Sequence, residues 1–164
     1  MLDPEQAWRD SHGFAAATQR EHAVCFVRWM QYRRHRRDVL DIEAATSDAP
    51  WTAAHLRRVL QQSATYGMVA EHGNRVAGFM VYELHKRRVE VIRLAVHPDY
   101  QDAEVYEQMV GKLLGKLSPN RRNVLALWVP DDRLARHQWL RSEGFRAVES
   151  AGSEYRFLFR KDGT

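Results

Sequence analysis

The chain has 164 residues, 45% of them hydrophobic and 28% charged, which suits one folded domain with its own core. No stretch approaches the roughly 20 apolar residues of a membrane span, and a single cysteine, Cys25, excludes an internal disulfide framework or a cysteine-based zinc site. The net charge is +4, and only four of the 25 basic residues are lysine, so the arginine excess reads first as a GC-rich genome and second as nucleic-acid contact through "RRHRR" at 33–37.

Residues 1–22 are polar and mixed and read as an N-terminal tail, with Asp3 and Glu5 and no apolar run of a secretory signal. Residues 23–162 read as a single domain, and Cys25, between Val24 and Phe26, as a buried, inert thiol in a reducing cytoplasm. "AVCFVRWM" (23–30) is short and apolar and predicts a strand. "YRRHRRDVLDIEAA" (32–45) sets Val39, Ile42 and Ala45 on one face of a helix, which Pro50 ends. Thr52 caps a second helix with Leu56, Val59 and Leu60 inward. Residues 66–84 form two strands about His72-Gly73-Asn74, a hairpin signal. "RVEVIRLAVHP" (88–98) is a further strand, ended by Pro98. Residues 102–117 follow as a helix with Val105, Met109, Val110, Leu113, Leu114 and Leu117 inward. "NVLALWV" (123–129) has the unbroken apolar character of a strand covered on both faces. Pro130, Asp131 and Asp132 open a last helix that Gly144 closes, and two strands flank Ala151-Gly152. The order β-α-α-β-β-β-α-β-α-β-β predicts an α/β (α+β) fold, a mixed sheet with helices on both faces.

Four stretches carry a resemblance: "IEAATSDAPWTAAHL", "GMVAEHGNRVAGFMVYEL", "IRLAVHPDYQ" and "LRSEGFRAV". Together with the element order they resemble the GNAT superfamily of acetyl-CoA-dependent N-acyltransferases, and within it most the ribosomal-protein alanine N-acetyltransferases. The resemblance implies a splayed central sheet in which acetyl-CoA wedges between two parting parallel strands. It implies that the backbone of Leu94 and Val96 meets the pantetheine arm, and that Gln101 with the loop amides around Ala103 to Val105 holds the pyrophosphate. The family loop, Arg/Gln-x-x-Gly-x-Gly/Ala, uses glycines so that free amides and the helix dipole reach the anion.

Here Glu104 and Tyr106 stand at the two glycine positions and Asp102 where a basic residue is common. As N-cap, Asp102 is expected to bond the amides of the first turn itself. Trp128 aligns with a common glutamate base, Arg133 with an asparagine that touches the cofactor arm, and Leu140 with the tyrosine acid. No catalytic residue is therefore assigned. Glu83 and His85, at a strand end on the substrate side, are candidate substitute bases set against an ordinary polar strand end. His97 reads as a backbone-capping turn residue and His137 as solvent-facing. Trp29, Trp51, Trp128 and Trp139 read mostly as core, and no His/Asp/Glu cluster has metal-ligand spacing.

Three readings stay open. The first is an acetyltransferase-like protein with a degenerate loop, a pseudoenzyme that works by binding a protein partner or a second copy of itself. The second is an active acetyl-CoA-dependent N-acetyltransferase acting on a protein N-terminal or other primary amine, as monomer or homodimer. The third is a ribosome- or RNA-associated module using Arg33, Arg34, Arg36 and Arg37.

Overall fold

The computed structural model describes residues 23–162, so the expected tail at 1–22 lies outside the described residues. Strand β1 (Phe26–Trp29) is followed by helices α1 (Tyr32–Thr46) and α2 (Ala53–Leu60). Three strands then run in series, β2 (Thr65–His72), β3 (Arg75–Leu84) and β4 (Arg88–Val96). Helix α3 (Asp102–Leu114), strand β5 (Val124–Pro130), helix α4 (Leu134–Ser142) and the hairpin β6 (Arg146–Ala151) and β7 (Glu154–Arg160) complete the described chain. The seven strands form one sheet in the order β1-β2-β3-β4-β5-β7-β6. Every neighbouring pair is antiparallel except β4 and β5, which are parallel.

Burial follows the period of each element. Val39 and Ile42 of α1 and Leu56 and Val59 of α2 pack on Val69, Phe79, Val81 and Ala95. Val105, Met109, Val110 and Leu113 of α3, with Leu140 of α4, cover Met80, Tyr82, Val91 and Leu127 on the other face. Central β3 is buried continuously from Val76 to Tyr82, as a strand covered on both sides must be. Two glycines carry geometry here. Gly73, at φ +62, supplies the left-handed residue of the β2–β3 turn, with His72 paired to Arg75. Gly78 has no room for a side chain: a Cβ would stand 2.9 Å from the Ala95 carbonyl oxygen and 2.9 Å from Met109 Cε. Its bareness lets α3 sit close over β3 and β4.

Four expectations need correction. The last helix starts at Leu134, because Pro130 completes the β5–β7 ladder opposite Glu154 and residues 131–132 form the turn. Ala45 is exposed, and Glu43, on the neighbouring stripe of α1, is the buried residue. Trp29 is 51% exposed on edge strand β1. His137 is buried, its ring against Tyr155 and Phe157 and its Nε2 bonded to the Pro130 carbonyl at 2.8 Å.

Candidate functional site

Strands β4 and β5 are paired over three residues only, Arg88–Glu90 against Val124–Ala126. Beyond Glu90 they part, although β4 runs on to Val96 and β5 to Pro130. A bulge helps β4 away: Val81 faces Arg93 while Tyr82 faces Val91, so Ile92 is an extra residue that bends the strand. The wedge is a cleft of about 720 Å³, with Leu94, Val96, Leu127 and Trp128 on its strand walls. At one end lies the α1–α2 connection from Thr46 to Ala49; Tyr106, Arg133 and Arg136 also line it. The splay implied by the resemblance is therefore present, and Leu94 and Val96 lie along it.

The first wall is an ion pair across 50 residues of sequence. Glu43, 1% exposed, accepts Arg93 Nε and Nη2, each at 2.6 Å, and the Trp51 amide at 2.8 Å. Arg93 also donates to Ser47 Oγ at 2.9 Å and lies over the Trp51 ring at 5.0 Å. A carboxylate this buried needs donors on both oxygens, and this network supplies them. It ties the C-terminal part of α1 to β4 just past the bulge.

At the apex stands Glu90, a cleft residue that sequence reasoning passed over. Its Oε1 accepts Arg156 Nη2 at 2.6 Å and lies 3.3 Å from Arg88 Nε. Its Oε2 is buried without a partner among the described residues. The available signal was a carboxylate inside the apolar run of β4, where burial is dear. Glu83 and His85 sit outside this apex, bonded to each other at 3.3 Å and both partly exposed.

The α3 end differs from the expectation. Gln101 is the N-cap residue and its side chain makes no cap bond. Asp102 is the first helical residue, and the hydrogen bonds of its carboxylate go to a side chain and not to the turn's amides. It accepts Arg136 Nε at 2.7 Å and Nη2 at 2.6 Å, with Arg133 Nη1 at 3.7 Å. The reason is energetic: a bidentate, charge-assisted pair to a nearly buried guanidinium outbids an amide cap worth about 1 kcal/mol. Arg136, 6% exposed, also lies 4.5 Å over the Tyr106 ring. Tyr106 is 1% exposed, meets Trp139 edge-on, and its Oη is buried with no partner among the described residues. Burial holds that hydroxyl protonated well above the usual phenol range, despite the nearby Arg136 charge. Among the loop residues, Gln101 is exposed, Ala103 half-buried and Val105 fully buried, its amide bonded to the Gln101 carbonyl at 3.3 Å.

Tyr106 stands where the resemblance has a glycine, and the Asp102 carboxylate close to it is held by Arg136 and Arg133. Leu140, at the position of the tyrosine acid, is wholly buried in the core and has no proton to give. His97 caps its own turn, Nδ1 accepting the Asp99 amide at 2.9 Å. Burial and the Glu104 charge push the half-buried Cys25 thiol up to about 11. Among the described residues no group of three or more His, Cys, Asp or Glu is placed to hold a metal, and no helix is long and apolar enough to cross a membrane.

Comparison with known proteins places this geometry. The profile of the family described as "Acetyltransferase (GNAT) family" matches residues 36–145. No curated protein matches the chain in sequence. Among solved structures, the ribosomal-protein-S18-alanine N-acetyltransferase from Escherichia coli superposes with a TM-score of 0.72 at 16% identity, covering 86% of this chain and 96% of that one. Arabidopsis thaliana NAA60 in complex with acetyl-CoA gives 0.68 at 12% identity, over 85% and 100% of the two chains. The aminoglycoside 6'-acetyltransferase type Ii gives 0.67 at 11%, over 82% and 96%. At these identities the likeness is one of fold.

Proposed function

Because the chain belongs to the acetyltransferase (GNAT) family, we propose that it keeps the family's cleft as a binding site and has lost efficient acetyl transfer from acetyl-CoA. The observation that carries this is the Asp102–Arg136 pair seated over Tyr106. It places a negative charge and an aromatic ring at the α3 end, where a diphosphate would need open backbone. The splay, a cleft of about 720 Å³ and the Glu43–Arg93 brace are all present. A preserved cavity with a refitted anion end supports a binding role, for a protein partner or a ligand other than coenzyme A, inside the cell.

The test is calorimetric titration with acetyl-CoA. The wild-type chain is expected to bind it more weakly than about 1 mM, a free energy of only about −4 kcal/mol. Asp102→Asn removes the charge, keeps the shape, and is expected to tighten binding by about tenfold at low salt. Replacing Glu104 and Tyr106 together by glycine is expected to tighten it further where the fold survives the lost ring; the asparagine variant keeps the test decisive where it does not. Sub-millimolar binding by the wild type overturns the proposal.

One observation favours a second reading, an active N-acyltransferase: the unpartnered Glu90 Oε2 at the cleft apex. A carboxylate oxygen there is placed to accept a proton from an entering ammonium group. That reading expects acetyl transfer to a peptide N-terminus or another primary amine, and at least a hundredfold loss of it in Glu90→Gln. The arginines at 33, 34, 36 and 37 are exposed, and nothing in their arrangement raises RNA association above these two.

A further inference from the structure

Strands β4 and β5 are paired at the end of the sheet away from the cleft, and basic side chains gather there. The β3–β4 turn (85–87), the α3–β5 connection (118–123) and the end of β7 with the residues after it (160–162) are fastened to one another. Arg122 Nε donates to the His85 carbonyl at 2.6 Å, the Asn123 amide to the Arg87 carbonyl at 3.1 Å, and the Lys161 amide to the Asn123 carbonyl at 2.7 Å. These segments hold six basic residues, Lys86, Arg87, Arg121, Arg122, Arg160 and Lys161, and one acid, Asp162. They therefore carry a formal +5, where the whole chain carries +4. All but Arg122 are exposed, and none of the six is ion-paired among the described residues. Like charge gathered this way repels itself, and a polyanion laid across it relieves the repulsion. A second observation points to bases beside the phosphates. At the same end of the sheet, Trp29 (51% exposed) and Tyr66 (41% exposed) form a ring pair with centroids 5.7 Å apart. Lys116, just past α3, holds its ammonium 4.8 Å over the Trp29 ring. The Lys161 ammonium in turn reaches the carbonyl of Leu117, the next residue, at 3.3 Å. The open rings and the basic segments thus join into one strip.

We infer that this strip binds single-stranded RNA, with phosphates along the three basic segments and unpaired bases stacked on Trp29 and Tyr66. Charge and stacking together are what a single strand offers: a phosphate on every nucleotide and a π-face on every base. An acidic peptide would use the charges and leave the rings idle. A duplex would keep its bases stacked on one another, out of reach of the rings, whereas RNA loops and ends present theirs splayed. The strip shares no residue with the cleft and none with the arginines at 33–37, so its occupancy is independent of acetyl-CoA.

The experiment titrates the full-length chain into fluorescein-labelled oligouridine of about 12 nucleotides, within the usual site sizes for single strands, and follows anisotropy. Parallel arms use duplex RNA of the same length, oligothymidine and polyglutamate. Oligouridine is expected to bind at least tenfold more tightly than duplex RNA or polyglutamate, and no more weakly than oligothymidine. Its affinity is expected to fall about 50-fold between about 50 and 200 mM salt, as about four phosphate contacts require. Trp29→Ala is expected to cost about tenfold at every salt concentration. Arg87→Gln with Arg121→Gln, both at exposed side chains, is expected to flatten the slope of log affinity against log salt by about 1.4. The paired change Arg33→Gln with Arg37→Gln is expected to leave that slope as it is. Thermal melts check each fold, and the charge variant keeps the test decisive where Trp29→Ala does not fold. Absence of oligouridine binding at low salt overturns the inference. Equal binding of polyglutamate overturns it in favour of an acidic protein partner, equal binding of duplex RNA in favour of charge without stacking, and tighter binding of oligothymidine in favour of DNA. A folded Trp29→Ala chain that binds like the wild type, or a slope that only the changes at 33 and 37 flatten, overturns it too.

Discussion

Removing Arg93 tests how the cleft is held open. In Arg93→Met the apolar stem keeps its packing against Trp51, but Glu43 loses two 2.6 Å charge-assisted bonds and keeps only the Trp51 amide. A carboxylate 1% exposed is then left buried and unpaired. Breaking a buried pair on one side costs about 3–5 kcal/mol. Arg93 is 27% exposed, so water reaches part of the vacated space, and the lower end, about 3 kcal/mol, is expected here. With a urea m-value of about 2 kcal/mol/M, the midpoint falls by roughly 1.5 M. The double variant Arg93→Met, Glu43→Gln removes the stranded charge and is expected to recover at least half of the loss. Urea melts followed by circular dichroism measure all three chains. A single variant that loses under 1 kcal/mol, or a double variant no better than the single one, would refute the reasoning and make the pair a surface ornament.

The glycines offer a contrast in sign. Gly78→Ala would force its Cβ to 2.9 Å from a backbone oxygen, so a loss of about 1–3 kcal/mol is expected in the same melts. Gly111→Ala, in α3 with nothing within 4 Å of the added methyl, is expected to gain about 0.5–1 kcal/mol; a loss there would mean α3 is not a relaxed helix. Cys25, its thiol pushed up to about 11, carries roughly a hundredfold less thiolate at pH 8 than a thiol of pKa 9. Its alkylation is expected to be correspondingly slow at pH 8 and to accelerate steadily as the pH rises toward 11. Labelling at the rate of a cysteine peptide would contradict that burial.

Periodicity made most of the elements legible because local patterns set them. Val39 and Ile42, or the unbroken "NVLALWV", announce a covered face or a covered strand whatever lies opposite. The cleft was legible only through resemblance: nothing local in Leu94 or Val96 says that β4 leaves β5 after Glu90. The charged residues that shape it were hidden, since their partners are distant in sequence. Glu43 meets Arg93 across 50 positions and Asp102 meets Arg136 across 34. Asp102 in particular looked like a helix cap, and local logic is sound for that residue type at a helix start. What it could not include was a guanidinium brought by α4 from beyond β5. Tertiary charge pairing overrode a local preference worth about 1 kcal/mol.

That override also bears on the proposed loss of diphosphate binding. A loop that merely decays acquires side chains without partners, since nothing selects for them. Here the acid at the start of α3 has a bidentate partner, that partner is nearly buried, and its guanidinium stacks on the ring that stands where a glycine would be. Trp139, one residue before the Leu140 that fills the acid's place, closes on the same ring edge-on. Three residues on two helices thus complete one another, and each would be costly alone: an unpaired acid, a buried unpaired arginine, a ring without packing. Mutual completion of this kind supports the proposal that this corner serves something other than a diphosphate. Beside it the cleft is open, with its strands parted beyond Glu90, the Glu43–Arg93 brace closed, and Arg133 held only loosely, at 3.7 Å from Asp102.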